Sequence, residues 1–421
     1  HTDFDTDNAT EFDRDILAEL SAACKKHGIK FGTYYSIIDW HHPSQERNAN
    51  GKGHFGTWGQ VTMKEGRKQE YVDYMKAQIK ELIEKYDSEI LWFDGDWVRW
   101  WSMEDGDDLY RYIRSLKPNI IINNRVSKRA KFKYDFGTPE NQTPGAALDH
   151  HWEACWTINH TWGYSKFDNK WKSEPVLIQK LVDITSKGGN LLLNVGPKPD
   201  GTIQVEALDR LAAMGDWMDS NAESIYGTEF APVSPPKGTR VTAKGKNKLY
   251  LHLFAPFEAD SVSLPLSAES ATAKLLATET KGPVTVEGNS LKFDLAKVTT
   301  PDPVTATAID LPNGYKAIEK NALATQAGDS VFNASNAKIH GEGPLKFVQK
   351  SAALEYWTDL EQSVSWEQKP VVDNKQEVIL IYSLEKSHAG GVAHVQPGVS
   401  APAGQLGGAD QLGVFVGAPR Q

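Results

Sequence analysis

Three carboxylates, together with a set of aromatic and basic residues, carry the chemical content of this chain. Asp94 ends the apolar run of LWFDGDW (91–97). If that run is a strand, Ile90, Trp92 and Asp94 share one face and Leu91 and Phe93 the other. The second pair suits a face covered by helices, which aims Asp94 into an open mouth with Trp92 as an apolar wall. The alternative is an aspartate that caps the next helix. Glu140 lies in the turn-rich loop YDFGTPENQTPG (134–145), where a carboxylate is ordinarily solvated surface. Glu153 stands inside the aromatic segment HHWEACWT (150–157). A carboxylate buried there must be paired or functional, since desolvating it alone costs several kcal/mol. Arg125, ending IIINNR, is a candidate partner. Asp94, Glu140 and Glu153 with Trp92, Tyr34 and His151 make the set that glycoside cleavage requires. One carboxylate attacks the anomeric carbon or stabilises an oxocarbenium ion, and a second, protonated at rest, protonates the leaving oxygen. Aromatic faces and His or Arg donors would hold the ring.

The elements that must position these residues alternate along the chain. KFGTYYS (30–36), EILWFDG (89–95), IIINNR (120–125), HHWEACWT (150–157), NLLLNVGP (190–197) and SIYGT (224–228) read as strands. Helical spacing marks DRDILAELSAACKKHG, YVDYMKAQIKELIEKY (71–86), LYRYIRSLK and VEALDRLAAMGDWMDSN. Alternation of this kind implies parallel strands with crossover helices. The polar residues of interest gather at the strands' C-terminal ends, where a (β/α)8 barrel carries its active site. GGNLLLNVGPKPDGTI (188–203) lacks GxGxxG and GK[ST], and its glycines flank an apolar strand, so nucleotide binding is rejected. After the Pro-rich APVSPPKG the texture becomes short alternating strands with Gly, Pro and Asn turns.

Bulk properties narrow the function further. At 421 residues the chain is long enough for two or three domains. A net charge of −9 argues against nucleic acid and anionic membrane surfaces as partners. No apolar run approaches the roughly 20 residues that span a bilayer. Thirteen Trp, 14 Tyr and 15 Phe suit either a large core or the stacking of sugar rings. Cys24 and Cys155 sit in apolar patterns and are expected to be buried thiols without metal-ligand spacing. No metal or organic cofactor is implied. The chain opens on HTDFDTD without a signal-like segment, so a secreted or periplasmic protein would carry its signal peptide outside this chain.

The chain resembles the α-L-fucosidases of glycoside hydrolase family 29. HGIKFGTYYS, LWFDGDW, the DFGTPE loop, HWEACWTINHTWGY and GGNLLLNVGPKPDGTI carry the resemblance, in the family's order. It implies a retaining exo-α-L-fucosidase acting on terminal α-L-fucose of glycans or aryl fucosides. Carried over by motif, Asp94 is the nucleophile and Glu140 the acid/base, with Glu153 the runner-up for that role. Tyr34, Trp92, Arg125, Glu153 and His151 are the substrate-binding candidates. The family has two further strands before the point where this chain begins, including a His-His-Asp-Gly segment that helps bind fucose. The expected architecture is therefore a (β/α)8-type barrel over residues 1–230, apparently lacking its first two strands. A β-sandwich follows over 231–320, then a further β-rich module over 321–421 with a flexible tail. Sugar binding and a structural lid are both open roles for that last module. An incomplete barrel exposes strand edges that invite pairing, and three explanations are open: a truncated chain, a proteolysed enzyme, or a homo-oligomer that completes the barrel. The alternative function is a non-catalytic fucose- or carbohydrate-binding protein.

Overall fold

The computed structural model describes residues 2–6, 8–46, 62–128, 134–257, 259–295, 298 and 303–318. Beyond these it gives only the backbones of short strands between 323 and 417. Its residues divide into two compact units. One is His1–Pro139 with Asp149–Glu153, and the other is Glu140–Leu148 with Ala154–Gln421.

In the first unit, α1 (Ile16–Lys26), β1 (Gly32–Ser36), α2 (Lys68–Glu84), β2 (Ile90–Asp94), α3 (Met103–Leu116) and β3 (Ile121–Ile122) follow in order. The strands form a parallel sheet ordered β1–β2–β3, with Tyr34 opposite Trp92 and Ser36 opposite Asp94. Helix α2 buries Tyr71, Met75, Ile79 and Ile83, a spacing of four that puts them on one stripe. α3 starts at a capping box between Ser102 and Asp105 and buries Leu109 and Ile113. Both stripes meet Leu91 and Phe93 in one core cluster. The parity expected of LWFDGDW is thus observed: its odd pair is fully buried, and Trp92 and Asp94 lie on the other face, partly exposed.

The IIINNR segment departs from expectation. Only Ile121–Ile122 is strand, and Asn124–Val126 forms a 3-10 turn that carries Arg125. Asn123 explains the break. Its side-chain amide donates to Phe93 O at 2.9 Å and accepts from Phe93 N at 2.9 Å. A buried side chain therefore supplies β2 with the pairing that a next strand residue would have given, and the main chain is released to turn. The sheet continues as isolated parallel bridges, Asn123 to Phe136 and Gly137 to Trp152.

In the second unit, β4 (Glu153–Thr157), whose first residue belongs to the first unit, pairs with β5 (Asn190–Asn194). Helices α4 (Glu174–Ser186) and α5 (Val205–Asn221) flank β5 in sequence. α4 has no counterpart among the helices read from sequence. SIYGT is not a strand. Ala222–Ser224 is a 3-10 turn, with Ser224 Oγ donating to Asn221 O at 2.7 Å and Thr228 Oγ1 to Ile225 O at 2.7 Å. These local side-chain bonds satisfy backbone acceptors that a strand would have needed. Of the glycines flanking β5, Gly196 packs closely, since a Cβ there would lie 2.7 Å from the Gly163 and Tyr164 backbone, whereas Gly188 serves a φ of +75 with no neighbour nearer than 3.7 Å.

The rest of this unit is all β. A six-stranded antiparallel sheet is built around Lys248–Phe254 and Val304–Asp310, and a four-stranded one around Ser261–Ser267 and Ser290–Asp294. Their inner faces share one core that includes Leu249, Leu251, Leu253, Leu264 and Phe293. The outer face of the larger sheet is also covered: Tyr250, Val304 and Ala306 pack on Ile178 and Val182 of α4 and Trp217 of α5. Cys155 is buried as expected, but Cys24 is partly exposed, because no residue of α1 is buried. Beyond Ile318, Lys338–His340, Ser363–Gln368, Leu412–Gly417 and Val395–Val399 form a four-stranded sheet. Residues 356–362 (YWTDLEQ) and most of the expected flexible tail lie outside the described residues.

Candidate active site

The first unit holds six of the seven candidate residues and clusters five of them, beginning with Asp94 at the C-terminal end of β2. Gly95 follows at φ +92, in the left-handed region that glycine tolerates, so the chain turns sharply just past the carboxylate. Each Asp94 oxygen is held by a different partner: Oδ1 accepts from Arg125 Nη1 at 2.6 Å, and Oδ2 from Tyr34 OH at 3.1 Å.

Arg125 is only 1% exposed, so its charge must be matched inside the protein. Besides Asp94, it donates through Nε to Thr138 Oγ1 at 2.7 Å and through Nη2 to Thr138 O at 3.2 Å. Thr138 Oγ1 donates in turn to Asn124 Oδ1 at 2.9 Å. The guanidinium also sits 4.6 Å from the Trp92 ring centroid, a cation–π placement. Tyr34 stacks on Trp92 at 5.8 Å with 19° between the planes, as their pairing in the sheet register requires.

Glu153 completes the cluster. Its Oε1 accepts the Trp92 indole N–H at 3.0 Å. Burial raises its pKa above the ordinary glutamate range, and the indole hydrogen bond only partly opposes this. The partner of Glu153 is therefore Trp92, while Arg125 pairs with Asp94. His151 is exposed, and its carbonyl accepts from Gly137 N at 2.8 Å.

Glu140 opens the second unit. Its backbone bridges to Cys155 on β4, and its side chain is exposed. Asn141, at φ +49, fastens the loop at this point: its N–H donates to Cys155 O at 2.8 Å, and its Oδ1 accepts from Thr157 N at 3.1 Å.

A cavity of about 600 Å³ opens on Asp94 in the first unit, lined also by Tyr34, Ser36, Trp40, His41 and Phe4. Trp40 and His41 belong to DWHHP (39–43), just past the C-terminal end of β1. Position alone could have flagged them, since loops after parallel strands gather at one edge of the sheet. Among the described residues, no group of three or more His, Cys, Asp or Glu side chains is placed to hold a metal ion.

Carboxylates set against aromatic faces at the C-terminal edge of a parallel sheet are the equipment of a carbohydrate site. The comparisons with known proteins agree. The family described as Alpha-L-fucosidase matches residues 1–223, and the chain belongs to that family, glycoside hydrolase family 29. The alpha-L-fucosidase of Dictyostelium discoideum is 33% identical over 223 residues, 51% of this chain and 46% of that protein. The human plasma alpha-L-fucosidase is 31% identical over 256 residues, 57% of this chain and 52% of that protein. The chain thus spans about half the length of the curated relatives it matches. Among solved structures, alpha-L-fucosidase isoenzyme 1 from Paenibacillus thiaminolyticus aligns with a TM-score of 0.63 and 32% identity, covering 74% of this chain and 78% of that one. The alpha-fucosidase of Thermotoga maritima in complex with fucose aligns at 0.56 and 25% identity, covering 73% and 70%.

Proposed function

We propose that this chain is a retaining exo-α-L-fucosidase that removes terminal α-L-fucose from glycans or aryl fucosides by double displacement. The observation that carries the reading is Asp94, partly exposed, lining the cavity with its two oxygens held by Arg125 and Tyr34. Asp94 attacks the anomeric carbon to give a fucosyl-enzyme, and a glutamic acid protonates the leaving oxygen. The same group then deprotonates the incoming water. Tyr34, Trp92, Arg125 and His151 hold the ring. The barrel reading of residues 1–230 rests on the α/β alternation and on likeness to solved alpha-L-fucosidases. The Thermotoga maritima enzyme has been described with a mechanism-based inhibitor, as suits a double displacement.

Two glutamates compete for the acid/base role. The TPE motif supports Glu140. The chemistry supports Glu153, because a general acid must hold its proton near working pH and burial pushes Glu153 in that direction. We place Glu153 ahead on this ground. Azide decides between them: rescue of Glu153→Ala with formation of α-L-fucosyl azide, the product of a second inversion at the anomeric carbon, is expected, and rescue of Glu140→Ala alone would reverse the order.

The nucleophile is tested on an aryl α-L-fucoside. Asp94→Ala should lose at least about three orders of magnitude in kcat while still folding at the assay temperature, as circular dichroism would show, with a lowered melting temperature because buried Arg125 loses its counter-charge. Near wild-type turnover in that variant would dismiss the assignment. Calorimetric fucose binding with no turnover by the unmodified chain would favour a carbohydrate-binding protein. The location expected, secreted or periplasmic, fits a glycan-directed enzyme. Among the described residues no helix is long and apolar enough to cross a membrane.

A further inference from the structure

The cavity beside Asp94 extends onto a loop for which the cleavage chemistry has no use. Asp39–His42 leaves the C-terminal end of β1, the same sheet edge that carries Asp94, and Ile37 N is tied to Asp94 O at 2.8 Å. The loop is built to hold one shape. Asp39 Oδ1 accepts from His41 N at 2.8 Å and His42 N at 3.1 Å, while Oδ2 takes the Tyr74 hydroxyl at 3.3 Å.

The two adjacent histidines have separate fates. His42 turns inward, its ring 5.0 Å from Tyr71 and 4.5 Å from Tyr74, with Nδ1 2.7 Å from Ser44 Oγ. His41 turns out and stacks on Phe4 at 3.8 Å with planes 13° apart. Trp40, between Asp39 and His41, is 49% exposed and lines the cavity. A large aromatic left half-exposed on a pinned loop beside a carboxylate forgoes apolar burial, which a packed core position would have supplied. The cavity, at about 600 Å³, has room for more than one pyranose.

We infer that Trp40, which lines the cavity together with the stacked His41–Phe4 pair, is the platform for the sugar on the leaving-group side of the fucosidic bond. The apolar C–H face of a neutral hexopyranose lies on the indole, so Trp40 sets which leaving groups are favoured and takes no part in bond cleavage. The leaving-group placement rests on the fucosidase reading; the sugar platform at Trp40 does not.

In the full chain, Trp40→Ala should lower kcat/KM for an α-L-fucosyl disaccharide about tenfold or more. Hydrolysis of α-L-fucosyl fluoride, whose leaving group cannot stack, should stay within about twofold. Trp40→Phe keeps an aromatic face and should recover most of the loss. Equal losses on both substrates, or no loss on the disaccharide, would overturn the inference. A second measurement does not need turnover. Saturation-transfer NMR with methyl β-D-galactoside and methyl N-acetyl-β-D-glucosaminide should show contact with the wild type that Trp40→Ala loses and Trp40→Phe keeps. If no fucoside is cleaved but this contact is seen and lost, the platform stands and the fucosidase reading fails. If neither hexoside contacts the wild type, the platform fails whatever the chain hydrolyses.

Discussion

A single indole links the acidic groups of the first unit. Trp92 shares a strand face with Asp94, supports Tyr34 and Arg125 on its ring, and donates its N–H to Glu153. That last bond favours the charged carboxylate, against the burial that disfavours it. Trp92→Phe removes the bond and leaves the burial, so the Glu153 pKa should rise further. If Glu153 is the acid, activity is lost as pH climbs through its pKa. The alkaline limb of kcat/KM should therefore move to higher pH in Trp92→Phe, whereas a limb that stays put would detach Glu153 from the proton transfer. Part of this site was legible beforehand. Strand parity aims Asp94 away from the helices, and an aromatic strand implies burial of Glu153, which is in fact partial. The Arg125–Asp94 pair was not legible, because the Asn123 amide, not hydrophobic pattern, bends the chain so that Arg125 reaches back to β2.

At the scale of elements, the turn that carries Arg125 is set by how closely α3 approaches it. Gly106, on α3, leaves no space for a side chain: a Cβ there would lie 2.3 Å from Ser127 Cβ and 2.6 Å from Ser127 Cα. Gly106→Ala must push the helix from the turn. Despite alanine's better helix propensity, it should destabilise by about 1–3 kcal/mol and also impair catalysis, through displacement of Arg125. Denaturant unfolding and aryl-fucoside kinetics check both, and a stabilised variant would show that the turn yields freely. Helices with one apolar stripe, such as α2, announced themselves by period. α4 did not, since it buries residues on several sides, among them Leu177, Ile178, Val182 and Ile184, and so shows no clean polar face. SIYGT read as a strand because Ile225 and Tyr226 have strand character, while its hydroxyl-to-carbonyl bonds are decided only by the local turn.

Across the whole molecule, the second unit contains a built-in acid sensitivity. His252 is fully buried in the strand Lys248–Phe254, and burial lowers its pKa from 6.5 to about 4. An unfolded chain takes up a proton there below about pH 6.5, while the folded chain resists until about pH 4. Stability is therefore undiminished above that window, falls as pH drops through it, and loses on the order of 3 kcal/mol by its lower end. His252→Leu lacks the titration. Relative to the variant, wild-type unfolding free energy should decline between pH 7 and 4.5, and parallel curves would contradict the burial argument. The strand's neighbours show why the histidine is sealed in. α4 and α5 cover this sheet face, and Trp217 Nε1 donates to Val304 O at 2.8 Å, across 87 residues of sequence. The break in texture at residue 231 is thus a seam in composition but not in packing. Recombination that exchanged the sandwich alone would strip two helices of their partners. A transferable block would have to keep α4, α5 and both sandwich sheets together.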